Sequence, residues 1–247
     1  MTKEAVPAAK LRVAAVTPFT TIDFPGKLSA VVFVQGCPWR CPYCHNPWMQ
    51  PREFAPDLEH GSWQGVEHLL KRRKGLLDGV VFSGGEPTID PALPAAVDRV
   101  RELGYLAALH TGGAYPAHFA EVAGRLSWVG LDVKASPDLP DAFDRAAGRV
   151  GACAKFLETY RTLREAGIEY ECRTTVHPRL HDEAGLMRLA DWLEAEEVEH
   201  FALQIYRAPK GLLLSKLLAR VDADYPGDAV LERFRQAVPH FTLRRES

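Results

Sequence analysis

The sequence predicts an α/β fold in which a parallel sheet is rolled into a partial (β/α)6 barrel of the TIM type. Three features carry this expectation. Short apolar runs alternate six times with segments of helical periodicity, which is the pattern of β-strands joined by crossover helices. The runs are continuously apolar, as in strands covered on both faces. Polar and glycine-rich stretches follow directly after the runs, at the strand ends where parallel barrels place their sites. Eight such units close a barrel, so six leave it open at the side, wide enough for a macromolecular substrate. At 247 residues the chain is expected to be a single domain, residues 1–247.

Residues 11–26 read as an extended lead-in and a turn, punctuated by Thr17-Pro18, Asp23 and Pro25-Gly26. The first buried strand is Val31-Val32-Phe33-Val34. Residues 47–61 carry three prolines and little periodicity, and Trp63 to Leu77 reads as a helix with Val66, Leu69 and Leu70 on one side. Its end holds Lys71-Arg72-Arg73-Lys74 before Gly75, a solvated helix terminus favourable to cations or else a docking patch. Gly79 to Phe82 is the second strand, and Leu93, Ala96, Val97, Val100 and Leu103 mark its helix. Further strands are expected at Tyr105 to His110, Trp128 to Val133, Ile168 to Val176 and His200 to Tyr206. The helices between and after them run near Tyr115 to Leu126, through Phe156, Leu157, Tyr160 and Leu163, through Leu186 to Leu193, and near Asp228 to Val238. Phe241 to Arg244 is long enough for one short terminal strand.

The chemistry concentrates in the loop 36–47, where Cys37, Cys41 and Cys44 stand in a C-x3-C-x2-C spacing. Gly36, Pro38 and Pro42 turn the backbone between them, so three thiols can meet one metal centre. Structural zinc sites and electron-transfer cubanes are normally closed by four ligands. Three ligands leave one iron open to a substrate or cofactor, which points to a catalytic cluster. Other readings of the same residues remain: His45 as a fourth zinc ligand, Cys41 to His45 as a haem-attachment C-x-x-C-H, Cys41 and Cys44 as a redox pair, or thiols used only for packing.

The segment TTIDFPGKLSAVVFVQGCPWRCPYCHNP, Thr20 to Pro47, resembles the amino-terminal signature of radical S-adenosylmethionine (SAM) enzymes. Within that superfamily it is most similar to the activating proteins of anaerobic (class III) ribonucleoside-triphosphate reductase, with pyruvate formate-lyase activating enzymes as near relatives. The resemblance implies a radical SAM core with a [4Fe-4S] cluster on Cys37, Cys41 and Cys44 and S-adenosyl-L-methionine as cofactor. It implies reductive cleavage of that cofactor to a 5'-deoxyadenosyl radical, which abstracts hydrogen from a glycine of the partner reductase. A low-potential electron donor such as flavodoxin or ferredoxin would feed the cluster. The other activities considered are activation of pyruvate formate-lyase or another glycyl radical enzyme, radical modification of a small molecule, and a non-enzymatic zinc-binding module.

The resemblance also assigns the strand ends. Gly84-Gly85-Glu86 is similar to the motif that contacts the methionine amine, and Arg173 or Lys134 would neutralise the carboxylate. Tyr43 would lie at the adenine and Gln204 at the nucleoside, with His45, Thr111 and Asp132 in the same cofactor-binding set. Plainer readings stand beside these: a βα turn at Gly84-Gly85, a local Asp132–Lys134 ion pair, Arg173 snorkelling at the rim, and structural hydrogen bonds for His45 and His110. His110-Thr111-Gly112-Gly113 replaces the Asp-Thr-Asn-Gly run of pyruvate formate-lyase activases, and histidine is a poor ligand for the hard monovalent cation held there.

Composition narrows the rest. A formal net charge of -2 gives no basic groove for nucleic acid. The opening MTKEAVPAAKLRVAAV has too short an apolar run for a signal peptide, and no long uncharged span suits a membrane, so a cytoplasmic protein is expected. Five cysteines, three of them bunched, fit a reducing compartment and a metal site, with Cys153 and Cys172 as small buried residues.

Overall fold

A computed structural model describes residues 5–207 and 221–245. Among these residues the strands are β1 (Val13–Thr20), β2 (Ser29–Val34), β3 (Gly79–Gly84), β4 (Leu106–Thr111), β5 (Trp128–Asp132), β6 (Tyr170–Val176), β7 (His200–Ile205) and β8 (His240–Arg244). The helices are α1 (Trp63–Arg72), α2 (Leu93–Glu102), α3 (Pro116–Ala123), α4 (Pro140–Ala147), α5 (Ala152–Glu165), α6 (Glu183–Ala195) and α7 (Asp228–Ala237). The eight strands form one sheet in sequence order. Pairing is parallel for β2–β3, β3–β4, β6–β7 and β7–β8.

The six expected strands are β2 to β7. The lead-in differs: it is a strand, β1, antiparallel to β2, with register breaks at Val13/Ala15 and Thr17/Thr20. Pro18 hides it in the sequence, because proline cannot donate to a ladder and is tolerated on edge strands. The short run near Phe241 is β8. The helix expected over Trp63 to Leu77 begins there, with Ser62 Oγ accepting from the Gly65 amide at 3.1 Å, but it ends at Arg72. Gly75 then adopts a φ of 80°, a left-handed turn that helical geometry excludes. Lys71 and Arg72 are accordingly the last-turn cations of a helix end. Helix α4 was not anticipated, although Pro140 in its first turn and Gly148 in the left-handed conformation after its last are recognisable boundary signals.

The chain divides into two compact units. The first comprises the described residues up to Pro38, Asn46–Gly130 and Glu158–Glu169; the second comprises Trp39–His45, Leu131–Leu157 and the described residues from Tyr170. In the first, Val31, Val81 and Ala108 come from three adjacent strands and pack with Phe24 and Trp128, whose rings stack at 5.8 Å. In the second, Phe201, Phe234 and Phe241 stack at 5.1 to 6.3 Å, joining β7, β8 and α7. Arg233 of α7 holds Asp191 and Glu194 of α6. Cys153 and Cys172 are buried, as expected of packing residues.

Strand β4 gives a direct test of this packing. Leu109 is fully buried, whereas Leu106, at the strand's start, is 38% exposed. Leu109→Ala should therefore lower unfolding free energy by about 2–5 kcal/mol and Leu106→Ala by less than about 0.5 kcal/mol in denaturant titrations. Equal losses would contradict the burial assigned to these two positions.

Candidate active site

In the first unit, the carboxyl ends of β2, β3 and β4 bring backbone into close contact. The chain leaves β2 through Gln35 and Gly36, the latter with a φ of 105°, and the amides of Gly36 and Cys37 donate to the carbonyls of Met49 and Gln50 at 2.8 and 3.0 Å. The Glu86 amide donates to the Gly36 carbonyl at 2.8 Å, and the Gly85 amide to Val34 at 3.0 Å. A Cβ on Gly84 would overlap the backbone of Val34. One on Gly85 would overlap the Gly36 carbonyl and lie 2.9 Å from that of Met49. These glycines are fixed by backbone approach, which is more than an ordinary turn demands.

Glu86 is buried and its carboxylate is fully engaged. One oxygen accepts from Thr88 N at 3.2 Å, Thr88 Oγ1 at 2.6 Å and Thr111 Oγ1 at 2.7 Å, and the other from the Gly112 amide at 2.9 Å. It thus joins the loops after β3 and β4, and Thr111 is one of its partners. Burial pushes its pKa up, against the lowering effect of these donors. His110 is the structural group foreseen: Nε2 lies 2.8 Å from the Asp23 carbonyl and the ring packs edge-on against Trp128.

The second unit contains Trp39–His45. The Arg40 amide donates to Ala147 at 3.0 Å, and the Cys44 amide donates to the Cys41 carbonyl at 3.1 Å, closing the turn over Pro42-Tyr43. Cys41 Sγ lies 3.6 Å from the Ala147 carbonyl. Burial raises the Cys41 pKa, with Lys134 acting to lower it. Tyr43 is buried and its hydroxyl finds no hydrogen-bond partner among the described residues.

Asp132, at the end of β5, accepts from Lys134 Nζ on one oxygen and from Arg173 on the other, each at 3.0 Å. Lys134 and Arg173 are only 12% and 11% exposed, so Asp132 joins two nearly buried cations. Arg173 is paired rather than snorkelling, because Asp132 is within reach on the neighbouring strand. Burial would lower the Lys134 pKa, but Asp132 and the acidic groups around it hold it well above its ordinary value. The Lys134 ammonium also lies 5.6 Å from the Trp39 ring and 5.9 Å from the Tyr43 ring.

His45 packs 5.8 Å from Tyr206, and burial lowers its pKa. Gln204 Oε1 accepts from Thr175 Oγ1 at 3.2 Å. Sequence reasoning missed His181. Its Nδ1 accepts from the His177 amide at 3.3 Å, which puts the proton on Nε2, 2.7 Å from the Lys134 carbonyl. Its ring lies 6.3 Å from that of Tyr43. No apolar period or motif marks it, since it lies in an irregular loop.

The donor set suits an iron–sulfur cluster: Cys37, Cys41 and Cys44 are partly buried and unbridged. Among the described residues no three His, Cys, Asp or Glu side chains are gathered as ligands of a single ion are. Cysteines of a cluster bind separate irons and need not converge on one point. The buried Tyr43 hydroxyl, with no hydrogen-bond partner among the described residues, is a further feature a bound polar cofactor would use.

Residues 31–193 match the radical SAM superfamily. A protein of Methanocaldococcus jannaschii, provisionally named a glycyl-radical enzyme activating enzyme, is 31% identical over 186 residues, covering 73% of this chain and 75% of that one. The pyruvate formate-lyase-activating enzyme of Clostridium pasteurianum is 30% identical over 171 residues, 65% of this chain and 66% of that one. A PqqA peptide cyclase of Streptomyces rochei is 35% identical over 213 residues, 84% of this chain but only 54% of its own length. Streptococcus suis SuiB bound to S-adenosylmethionine has the same fold, with TM-score 0.62 and 15% identity over 85% of this chain and 48% of that one. The chain belongs to the radical SAM superfamily, whose fold is the partial barrel, and within it to the glycyl-radical activating enzyme family. No helix among the described residues is long and apolar enough to cross a membrane.

Glu86 yields a pH prediction. Its folded pKa is raised, so the folded chain retains a proton there that the unfolded chain has released. Its contribution to stability is complete below the ordinary value of 4.5 and is lost as pH rises through the folded value. Glu86→Gln removes that titration and turns an amide N–H toward the Gly112 amide, a clash worth about 1–3 kcal/mol. In urea unfolding at a series of pH values, the advantage of the wild type over Glu86→Gln should shrink as pH rises above 4.5. An advantage independent of pH would contradict the raised value.

Proposed function

We propose that this chain is the activase of an anaerobic ribonucleoside-triphosphate reductase, acting as a single catalytic domain in the cytoplasm, with no nucleic-acid or membrane partner. The observation that carries the reading is the set of three unbridged thiols, Cys37, Cys41 and Cys44, following β2 inside the superfamily match. The resemblance of Thr20 to Pro47 supports the choice of reductase, and the Methanocaldococcus relative supports glycyl-radical activation generally.

On this reading the three thiolates hold a [4Fe-4S] cluster and leave one iron for S-adenosyl-L-methionine. When bound, these groups supply one-electron reduction and a carbon radical able to take hydrogen from a glycine, with flavodoxin or ferredoxin as electron source. The chain's own residues bind and orient. The backbone at Gly84 and Gly85, held by Glu86 and Thr111, offers acceptors to the methionine ammonium without an intervening side chain. Lys134 and Arg173, nearly buried beside Asp132, supply the cationic N–H donors that receive the carboxylate. Tyr43 offers a hydroxyl to the adenine, and Gln204 and His45 present polar groups to the nucleoside. His110 is turned to Asp23, so we assign no monovalent-cation site to it.

A second reading, radical modification of a peptide, is favoured by the 35% identity to a PqqA peptide cyclase, although the chain spans about half of that relative. The deciding experiment is anaerobic incubation of reconstituted protein with S-adenosylmethionine, a reductant and either the cognate anaerobic reductase or pyruvate formate-lyase. We expect a glycyl radical signal by electron paramagnetic resonance in the reductase alone. A signal in pyruvate formate-lyase, or efficient peptide modification without a protein partner, would overturn the assignment.

Replacing Cys37, Cys41 or Cys44 with Ala should abolish 5'-deoxyadenosine formation, whereas Cys153→Ala, buried against the Pro137 carbonyl, should retain it. Turnover in any of the three motif variants, read by chromatography of the nucleoside product, would remove them as cluster ligands.

A further inference from the structure

Gln35 is 1% exposed, and nothing in the motif-based reading explains why a carboxamide should be buried at the end of an apolar strand. Its Nε2 lies 3.1 Å from the Trp48 carbonyl and 2.8 Å from that of Pro51, with the Glu53 carbonyl at 3.4 Å. All these neighbours are acceptors, so the amide orientation is fixed: the NH2 group must face them. The backbone of Gln35 is equally committed. Its amide donates to Arg12 at 2.8 Å, and its carbonyl accepts from Arg52 Nη1.

Arg52 extends the connection. Its Nη2 donates to Asp90 at 2.6 Å, and the same Asp90 oxygen accepts from the Arg12 amide at 3.1 Å, while its other oxygen accepts from Ala92 N at 2.9 Å. Residues 48–53 are thereby fastened between the exit of β2 and the start of α2. Met49 and Gln50 lie in that fastened stretch, and they are the residues whose carbonyls receive the Gly36 and Cys37 amides.

We propose that Gln35 is a positioning residue for the cluster ligand Cys37: by donating to Trp48 and Pro51 it holds the returning limb of the loop, and that limb holds the Cys37 backbone. The ligand role of Cys37 is taken from the proposed function, but the fastening itself belongs to the protein alone. The mechanism requires donation and not merely bulk. Gln35→Met keeps the length and loses both donors; Gln35→Glu keeps the shape and sets a carboxylate against carbonyls.

The test has two arms. In metal-free protein, residue-resolved amide hydrogen exchange should show Gly36 and Cys37 exchanging at least about tenfold faster in both variants, the effect of losing roughly two hydrogen bonds. Val81 in β3 and Leu109 in β4 should keep wild-type rates. After anaerobic reconstitution, chelator should strip iron at least about fivefold faster from both variants than from the wild type. Faster exchange throughout the sheet, unchanged exchange at Gly36 and Cys37, or wild-type behaviour of Gln35→Glu would each overturn the proposal. A wild-type chain that takes up no iron would instead remove the cluster reading, and the exchange arm would still decide whether Gln35 holds the loop.

Discussion

The structure depends on a three-way approach of backbone at the carboxyl end of the first parallel strands. The Gly36 carbonyl accepts from Glu86, the Gly36 amide donates to Met49, and Gly85 lies too close to both segments for any side chain. Such contacts are possible only where side chains are missing and every polar group has a partner. Once these segments are locked together, the position of Cys37 follows from the sheet and not from the conformational freedom of a surface loop.

Charge in the second unit is arranged on a different principle. A single partly exposed carboxylate, Asp132, sits between two nearly buried cations. Burying cations is costly unless they are paired, and Asp132 pairs with both of them. Trp39 and Tyr43 line the ammonium with ring faces, which stabilise charge without consuming its hydrogen-bonding capacity.

Much of this was legible in the sequence, for physical reasons that differ by element. Strands such as β3 were readable because burial on both faces demands unbroken apolar runs, as in Val80 to Phe82, whereas β6 buries alternate residues. Strand β1 was not readable, because it lies at the sheet edge beside β2 and Pro18 breaks its pattern. The Asp132–Lys134 pair followed from alternate residues sharing a strand face, but the Arg173 contact did not, since it joins positions 41 residues apart. Gln35 and His181 were invisible for a related reason. Their significance lies in the backbone carbonyls they meet, and a carbonyl has the same chemistry in every residue.

The glycine geometry bears on how distant relatives of this chain should be compared. Gly84 and Gly85 are demanded by steric overlap with Val34 and Gly36, a demand that would persist in a descendant that had abandoned its chemistry. The three motif thiols are partly exposed, so packing imposes no such demand on them. When descendants are compared, the glycines will therefore report only inherited architecture, whereas packing leaves the sulfur positions free to change.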